Sequence, residues 1–273
     1  MRTGITGLTA ALALAACTSA RPTQAPAQAP AGPFAGAEQL LVVTTASWDT
    51  PDARLGLYER QRGGGAWAAV MRDVPAVVGK NGLAWGRGLP LDVSRLSAVS
   101  AVSAVSAVSA VSAVSAVSAG PTKREGDGRA PAGLFALGTA FGFDDASRFA
   151  LPYRRLTPET ECVDDASSRR YNTLVERSAV AVDWASSEKM RSEPLYRIGA
   201  VVQHNAPDVT PGAGSCIFLH IWRGPGLGTA GCTAMDEAAL AALLGALDPE
   251  KHPALLQVPR AVYEDLKARH GLP

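Results

Sequence analysis

The chain has 273 residues, 47% hydrophobic and 19% charged, enough apolar material for one medium-sized globular domain with a true core. A formal net charge of +1 gives no field to recruit a polyanion, and no lysine and arginine cluster interleaved with aromatics is present, so nucleic acid is excluded as a partner. The four cysteines include no Cys-x-x-Cys pair, which weighs against a structural zinc module.

The first element in chain order is "MRTGITGLTAALALAACTSA", with one positive charge at Arg2, an apolar run and a close on small residues. That pattern predicts an export signal over residues 1–16, and its apolar run is shorter than a membrane span needs. Leu14, Ala15, Ala16 and Cys17 resemble the lipobox of bacterial lipoproteins, which implies a lipid on Cys17 and a membrane anchor through it. The competing reading is an ordinary residue in an ordinary signal peptide. Residues 17–37 are rich in Pro and Ala and poor in large apolar side chains, so they read as an extended tether. The expected location is the cell envelope or periplasm.

A folded domain is expected over 38–273. Leu40 to Thr45 is a β-branched run that reads as a strand, and "ARLGLYERQ" and "AWAAVM" read as further strands around the turn "RGGGA". Residues 97–119 are seven copies of Ser-Ala-Val followed by Ser118 and Ala119. A three-residue period drifts around a helix and alternates faces in a strand, so neither structure could bury one side of it. It reads as a low-complexity insertion in a surface loop, with a short Ala-rich helix as the alternative.

Beyond it, a strand is expected at Gly133 to Leu137, then loops at "ECVDDASSRRYN" and "DWASSEKM". "LYRIGAVVQHN" reads as a strand ending at His204, returning through "APDVTPGAGS" into "CIFLHIW" as a hairpin. Asp236 can cap a helix over "EAALAALLGAL", and "PRAVYEDLKARHG" reads as a helix bounded by Pro259 and Gly271. His252 and His270 read as solvated. The predicted class is mainly β with peripheral helices (α+β).

The stretch carrying chemistry is "GSCIFLHIWRGPGLGTAGCTAM" at 214–235. Period-two alternation sets Cys216, Phe218 and His220 on one face and Ile217, Leu219 and Ile221 on the other. At strand rise Cys216 lies about 13 Å from His220, too far to be activated by it. Cys232 differs, because "RGPGLGTAG" can turn the chain back beside His220, and an imidazole within about 3 Å would supply thiolate. Gly231, without a Cβ, would let substrate approach, and amides around Gly231 and Cys232 could donate to an oxyanion. Two other readings stand beside this one: a strand histidine with a packed thiol, and a zinc site from Cys216, His220, Cys232 and His204.

"FLHIW" followed by "TAGC" resembles the signature of the L,D-transpeptidase catalytic-domain (YkuD) family. "KREGDGRAPAGLF" resembles that family's Gly-Asp-Gly and Pro-x-Gly segment, and "CVDDASSRRYN", "DWASSEKM" and "GSCIFLH" look like one of its exported subgroups. The resemblance spans Glu38 to Asp265 apart from the repeat. It implies a YkuD-like catalytic fold, peptidoglycan stem peptides as partners, and no metal or organic cofactor. It also implies attack by Cys232 at the carbonyl of a stem peptide's diamino-acid residue, with His220 as base and Gly231 beside the nucleophile. The thioester would pass to an amine, or to water in an L,D-carboxypeptidase or amidase; a non-catalytic peptidoglycan-binding lipoprotein is the alternative outside enzymes.

The chain departs from the family pattern. Thr229 and Ala230 stand where family members carry Ser-His, and Thr233-Ala234 replaces the segment with an arginine. Substrate contacts are then expected from Thr229, from Arg223 toward a carboxylate, and from His204 at the cleft, against solvated or strand-end roles for the last two. The expected state is a monomer. With Cys17 lipidated and Cys232 kept as a thiol, Cys162 and Cys216 remain, and an oxidising compartment favours a disulfide between them over two buried thiols.

Overall fold

The structure, a computed structural model, describes Met1, Gly4 and residues 32–92 and 120–273. The signal peptide, Cys17, most of the tether and the Ser-Ala-Val repeat lie outside the described residues. A first meander comprises β1 (Gln39–Thr45), β2 (Asp52–Glu59) and β3 (Ala68–Val77), followed by β4 (Leu83–Trp85), the long β5 (Ala130–Gly142) and β6 (Tyr153–Arg155). A small sheet follows, of β7 (Thr160–Val163), β8 (Leu174–Glu176) and β9 (Ser187–Lys189). The chain ends with β10 (Ile198–Val202), β11 (Phe218–Ile221), β12 (Thr233–Met235), α1 (Glu237–Ala246), β13 (Ala254–Pro259) and α2 (Arg260–His270).

Eight strands form a closed barrel in the order β10-β11-β12-β3-β2-β1-β13-β5, because β5 pairs with β13 through Gly133–Ala136 and with β10 through Leu137–Gly142. The ring is mixed, since β1 with β13 and β11 with β12 run parallel. β1 and β13 are buried along their whole length, and their apolar residues run consecutively, Leu40 to Val43 and Ala254 to Leu256, rather than alternating. The apolar stripes of α1 (Leu240, Leu243, Leu244) and α2 (Val262, Leu266) join the same core. No described helix is long and apolar enough to cross a membrane.

Mainly β with two helices is therefore the observed class. The hairpin is present, with Gly199 of β10 opposite His220 of β11. Asp236 caps α1 by accepting from the Ala238 and Ala239 amides, and α2 stops at Gly271, whose φ of +60° suits glycine. Three expectations change. The loops at 161–172 and 183–190 contribute β7 and β9, a sheet too short to announce itself by periodicity. Packing starts before Glu38, because Phe34 is buried and its carbonyl accepts from Arg60. His270 is half-buried rather than solvated, its ring lying 5.4 Å from that of Phe34.

Cys162 and Cys216 form the expected disulfide, with a sequence separation of 54. It ties β7 of the small sheet to the segment entering β11, and so fixes the small sheet against the barrel wall that carries His220.

Candidate active site

The side-chain alternation of β11 sorts two environments. Ile217, Leu219 and Ile221 enter the barrel core, whereas Phe218 packs with Cys216, Cys232, Phe141 and Tyr196 in a second cluster. His220 shares that second face, its ring edge-on to Tyr196 at 5.2 Å. The parallel register of β11 and β12 sets Leu219 against Thr233, which brings Cys232 alongside Phe218. The Phe218 amide donates to Cys232 Sγ at 3.3 Å, and Sγ in turn donates to the Cys216 carbonyl at 3.4 Å. That carbonyl belongs to a residue at φ +55°, in the left-handed region that side chains rarely adopt.

His220 Nδ1 donates to the Ile221 carbonyl at 2.7 Å, which leaves Nε2 as the basic nitrogen. Burial pushes the imidazole down to about 4. Burial also pushes the Cys232 thiol well up, and the charge of Glu188 adds to this. The resting pair is therefore a neutral thiol and a neutral imidazole. No hydrogen bond joins them among the described residues. Cys232 sits beside Phe218, two residues along β11 from His220, or about 7 Å at strand rise. Both line one cavity of about 620 Å³.

The turn before Cys232 is held by Thr229, whose Oγ1 donates to the Cys232 carbonyl at 2.6 Å and accepts from the Gly231 amide at 3.1 Å. The Gly231 amide is thus engaged inside the turn, while the Cys232 amide donates to none of the described residues. A Cβ on Gly231 would lie 3.2 Å from the Arg129 carbonyl. That is a tight contact, so a larger residue at 231 would require the Arg129 main chain to shift by a few tenths of an ångström.

Arg223 also lines the cavity, with its side chain 73% exposed and 3.7 Å from Glu193. His204 lies outside this lining: Nε2 donates to the Ala213 carbonyl at 3.0 Å and Nδ1 accepts from the Arg87 amide at 3.3 Å, so both nitrogens are engaged. Cys216 is committed to the disulfide, and no group of three or more His, Cys, Asp or Glu residues is arranged for a metal among the described residues.

Several cavity residues have no motif that could have found them. Tyr196 donates to Glu188 Oε2 at 2.6 Å, and burial pushes the Glu188 carboxyl up to about 7. Asp164 lines the same cavity, and its Oδ1 is buried with no hydrogen-bond partner among the described residues. Glu188 comes from β9 and Asp164 directly follows β7, both far from Cys232 in sequence, and only the fold assembles them. Compared with family models, curated proteins and solved structures, the chain matches none of them.

Proposed function

We propose that the protein is a peptidoglycan-modifying cysteine acyltransferase of the L,D-transpeptidase (YkuD) type, held at the cell envelope through a lipidated Cys17. The observation that supports this best is the pairing of the one free thiol among the described residues with an unprotonated imidazole in the lining of one cavity. The sequence resemblance around "FLHIW" and "TAGC" supplies the substrate class.

In this reading the thiol turns away from the Cys216 carbonyl and gives its proton to His220 Nε2. The sulfur then attacks the acyl carbon of a stem-peptide amide, and the Cys232 amide donates to the developing oxyanion. Collapse breaks the C–N bond, His220 returns the proton to the leaving amine, and a thioester remains on Cys232. An acceptor amine, losing a proton to His220, then displaces the sulfur and regenerates the thiol. Attack by water at the same step would shorten the stem instead of linking it.

Mass spectrometry of isolated muropeptides incubated with the protein tests the reading. New crosslinks are expected with the wild-type chain and none with Cys232→Ala; His220→Ala should lose most of the rate and keep the fold. Shortened stems alone would replace transfer by hydrolysis. Unchanged muropeptides in the presence of folded wild-type protein would remove both.

A further inference from the structure

The segment "KREGDGR" at 123–129 folds back on itself, because Gly126 and Gly128 take φ of +70° and +68°, a region open to glycine. The turn centres on Asp127, whose Oδ1 accepts from Lys123 Nζ at 2.7 Å and from the Arg129 amide at 2.9 Å, while Oδ2 accepts from the Arg124 amide at 2.8 Å. Lys123 Nζ also donates to the Arg124 carbonyl at 2.6 Å, and the Lys123 amide donates to the Trp85 carbonyl at 2.9 Å, at the end of β4. The side chain is thereby fixed at both ends. It is only 4% exposed, and Lys123 lines the cavity that holds Cys232 whereas Asp127 does not. The third donor of the ammonium has no partner among the described residues.

Burying an ammonium is costly even when it is paired. The other charges around the sulfur supply a reason for it. Glu125, Asp164, Glu188 and Glu193 line the cavity, and negative charge there opposes a thiolate. Lys80, Lys189 and Arg223 line it too, but Lys80 is exposed and the side chains of Lys189 and Arg223 are 52% and 73% exposed, so solvent and salt screen them. Lys123 is the buried cation of that lining, and its charge acts through a poorer dielectric. Neither nearby imidazole brings positive charge, since burial holds His204 and His220 down to about 4. His204 packs on the same main chain as Lys123: a Cβ on Gly214 would lie 3.0 Å from His204 Nε2 and 3.1 Å from Lys123 Cε. Burial pushes the Cys232 thiol well up and Glu188 adds to that, while the Phe218 amide and the charge of Lys123 act the other way.

We propose that Lys123 is a positioning residue for Cys232: its ammonium, held by Asp127 and the Arg124 carbonyl, supplies the positive charge against which the sulfur anion forms. Lys123 keeps its three protons throughout, and the proton lost from sulfur goes to His220 Nε2. The assignment rests on the acyl-transfer reading only in taking Cys232 as the nucleophile.

Alkylation of Cys232 by iodoacetamide reads the sulfur anion without any muropeptide. Below the thiol's titration the rate follows the thiolate fraction, so a tenfold change in rate reports one pH unit. At about pH 8, Lys123→Gln is expected to slow alkylation about tenfold, and Lys123→Arg, which keeps the charge, to stay within about threefold of wild type. Asp127→Asn keeps the ammonium and deletes its counter-charge, so it should speed the reaction. A turn that merely loosened would expose the sulfur and speed alkylation in Lys123→Gln as well. That result, an unchanged rate in Lys123→Gln, or equal slowing by Lys123→Arg would overturn the assignment. Circular dichroism establishes that each variant is folded; where Lys123→Gln is not, a rate in Asp127→Asn at or below that of wild type overturns it instead. Slower alkylation of Lys123→Gln with muropeptides unchanged by wild type would remove the acyl-transfer reading and leave the role of Lys123; muropeptide turnover with no slowing in Lys123→Gln would do the reverse.

Discussion

Cys232 Sγ donates to the carbonyl of Cys216, 3.4 Å away, so the free thiol is held by the main chain of a half-cystine. The disulfide thereby sets both the stability of the small sheet and the direction of the thiol. Cys162→Ala is expected to lower stability by about 4 kcal/mol, the chain-entropy value for a loop of this size. Loosening of the Cys216 carbonyl should also speed alkylation of Cys232 by iodoacetamide several-fold under native conditions. Urea titration and alkylation rates check the two effects separately, and an unchanged alkylation rate would mean that the disulfide does not orient the thiol.

The charge of Glu188 is the second contribution, after burial, that holds the Cys232 thiol up. Removing it must favour the thiolate. Glu188→Gln keeps an acceptor for Tyr196 and deletes the charge, so the pH at which Cys232 becomes reactive should move down. The measurement is the alkylation rate against pH, with Cys232→Ser as the blank. A profile that stays in place, or moves up, contradicts this electrostatic account.

Stability against pH should show opposing slopes. His204 and His220, both near 4 when folded against an ordinary 6.5, bind protons more readily unfolded, so their effect is a loss of stability as pH falls from about 6.5 to about 4. Glu188, near 7 against an ordinary 4.5, binds its proton more readily folded, so its effect is a loss as pH rises through that interval. Glu161 is held near 2: burial opposes this, but hydrogen bonds from Lys189, Ser187 and Trp184 outweigh it. Its stabilisation is full above 4.5 and lost below, toward 2. Melting temperatures between pH 8 and pH 3 are therefore expected to decline more steeply from 6.5 to 4 in Glu188→Gln than in wild type. Parallel curves would contradict the offset.

What the sequence made legible follows physical range. Leu40 to Thr45, the hairpin into "CIFLHIW" and the caps at Asp236 and Gly271 depend on residues within a few positions, and each appears where local chemistry puts it. β13 was not anticipated, because "ALLQVP" lies between Pro253 and the Pro259 that opens a helix, and a short apolar run has no diagnostic period. Alternation in β11 correctly separated the Phe218 and His220 face from the Leu219 face. It could not show that the register with β12 would set Cys232 beside Phe218 rather than against His220. Asp164 and Glu188 were invisible for the same reason: a lone carboxylate in a polar loop carries no signal until a distant strand meets it.

β13 is hydrogen-bonded on one side to β1 and on the other to β5. The ring stays open until Ala254–Pro259 exists, however much of the chain has already been made. A product ending before Ala254 would leave the fully buried run Leu40 to Val43 beside an unpaired edge, a template for association with other chains. Closure of the ring must then wait for Ala254–Pro259, and termination anywhere upstream of Ala254 should yield aggregating or degraded fragments instead of a smaller stable domain.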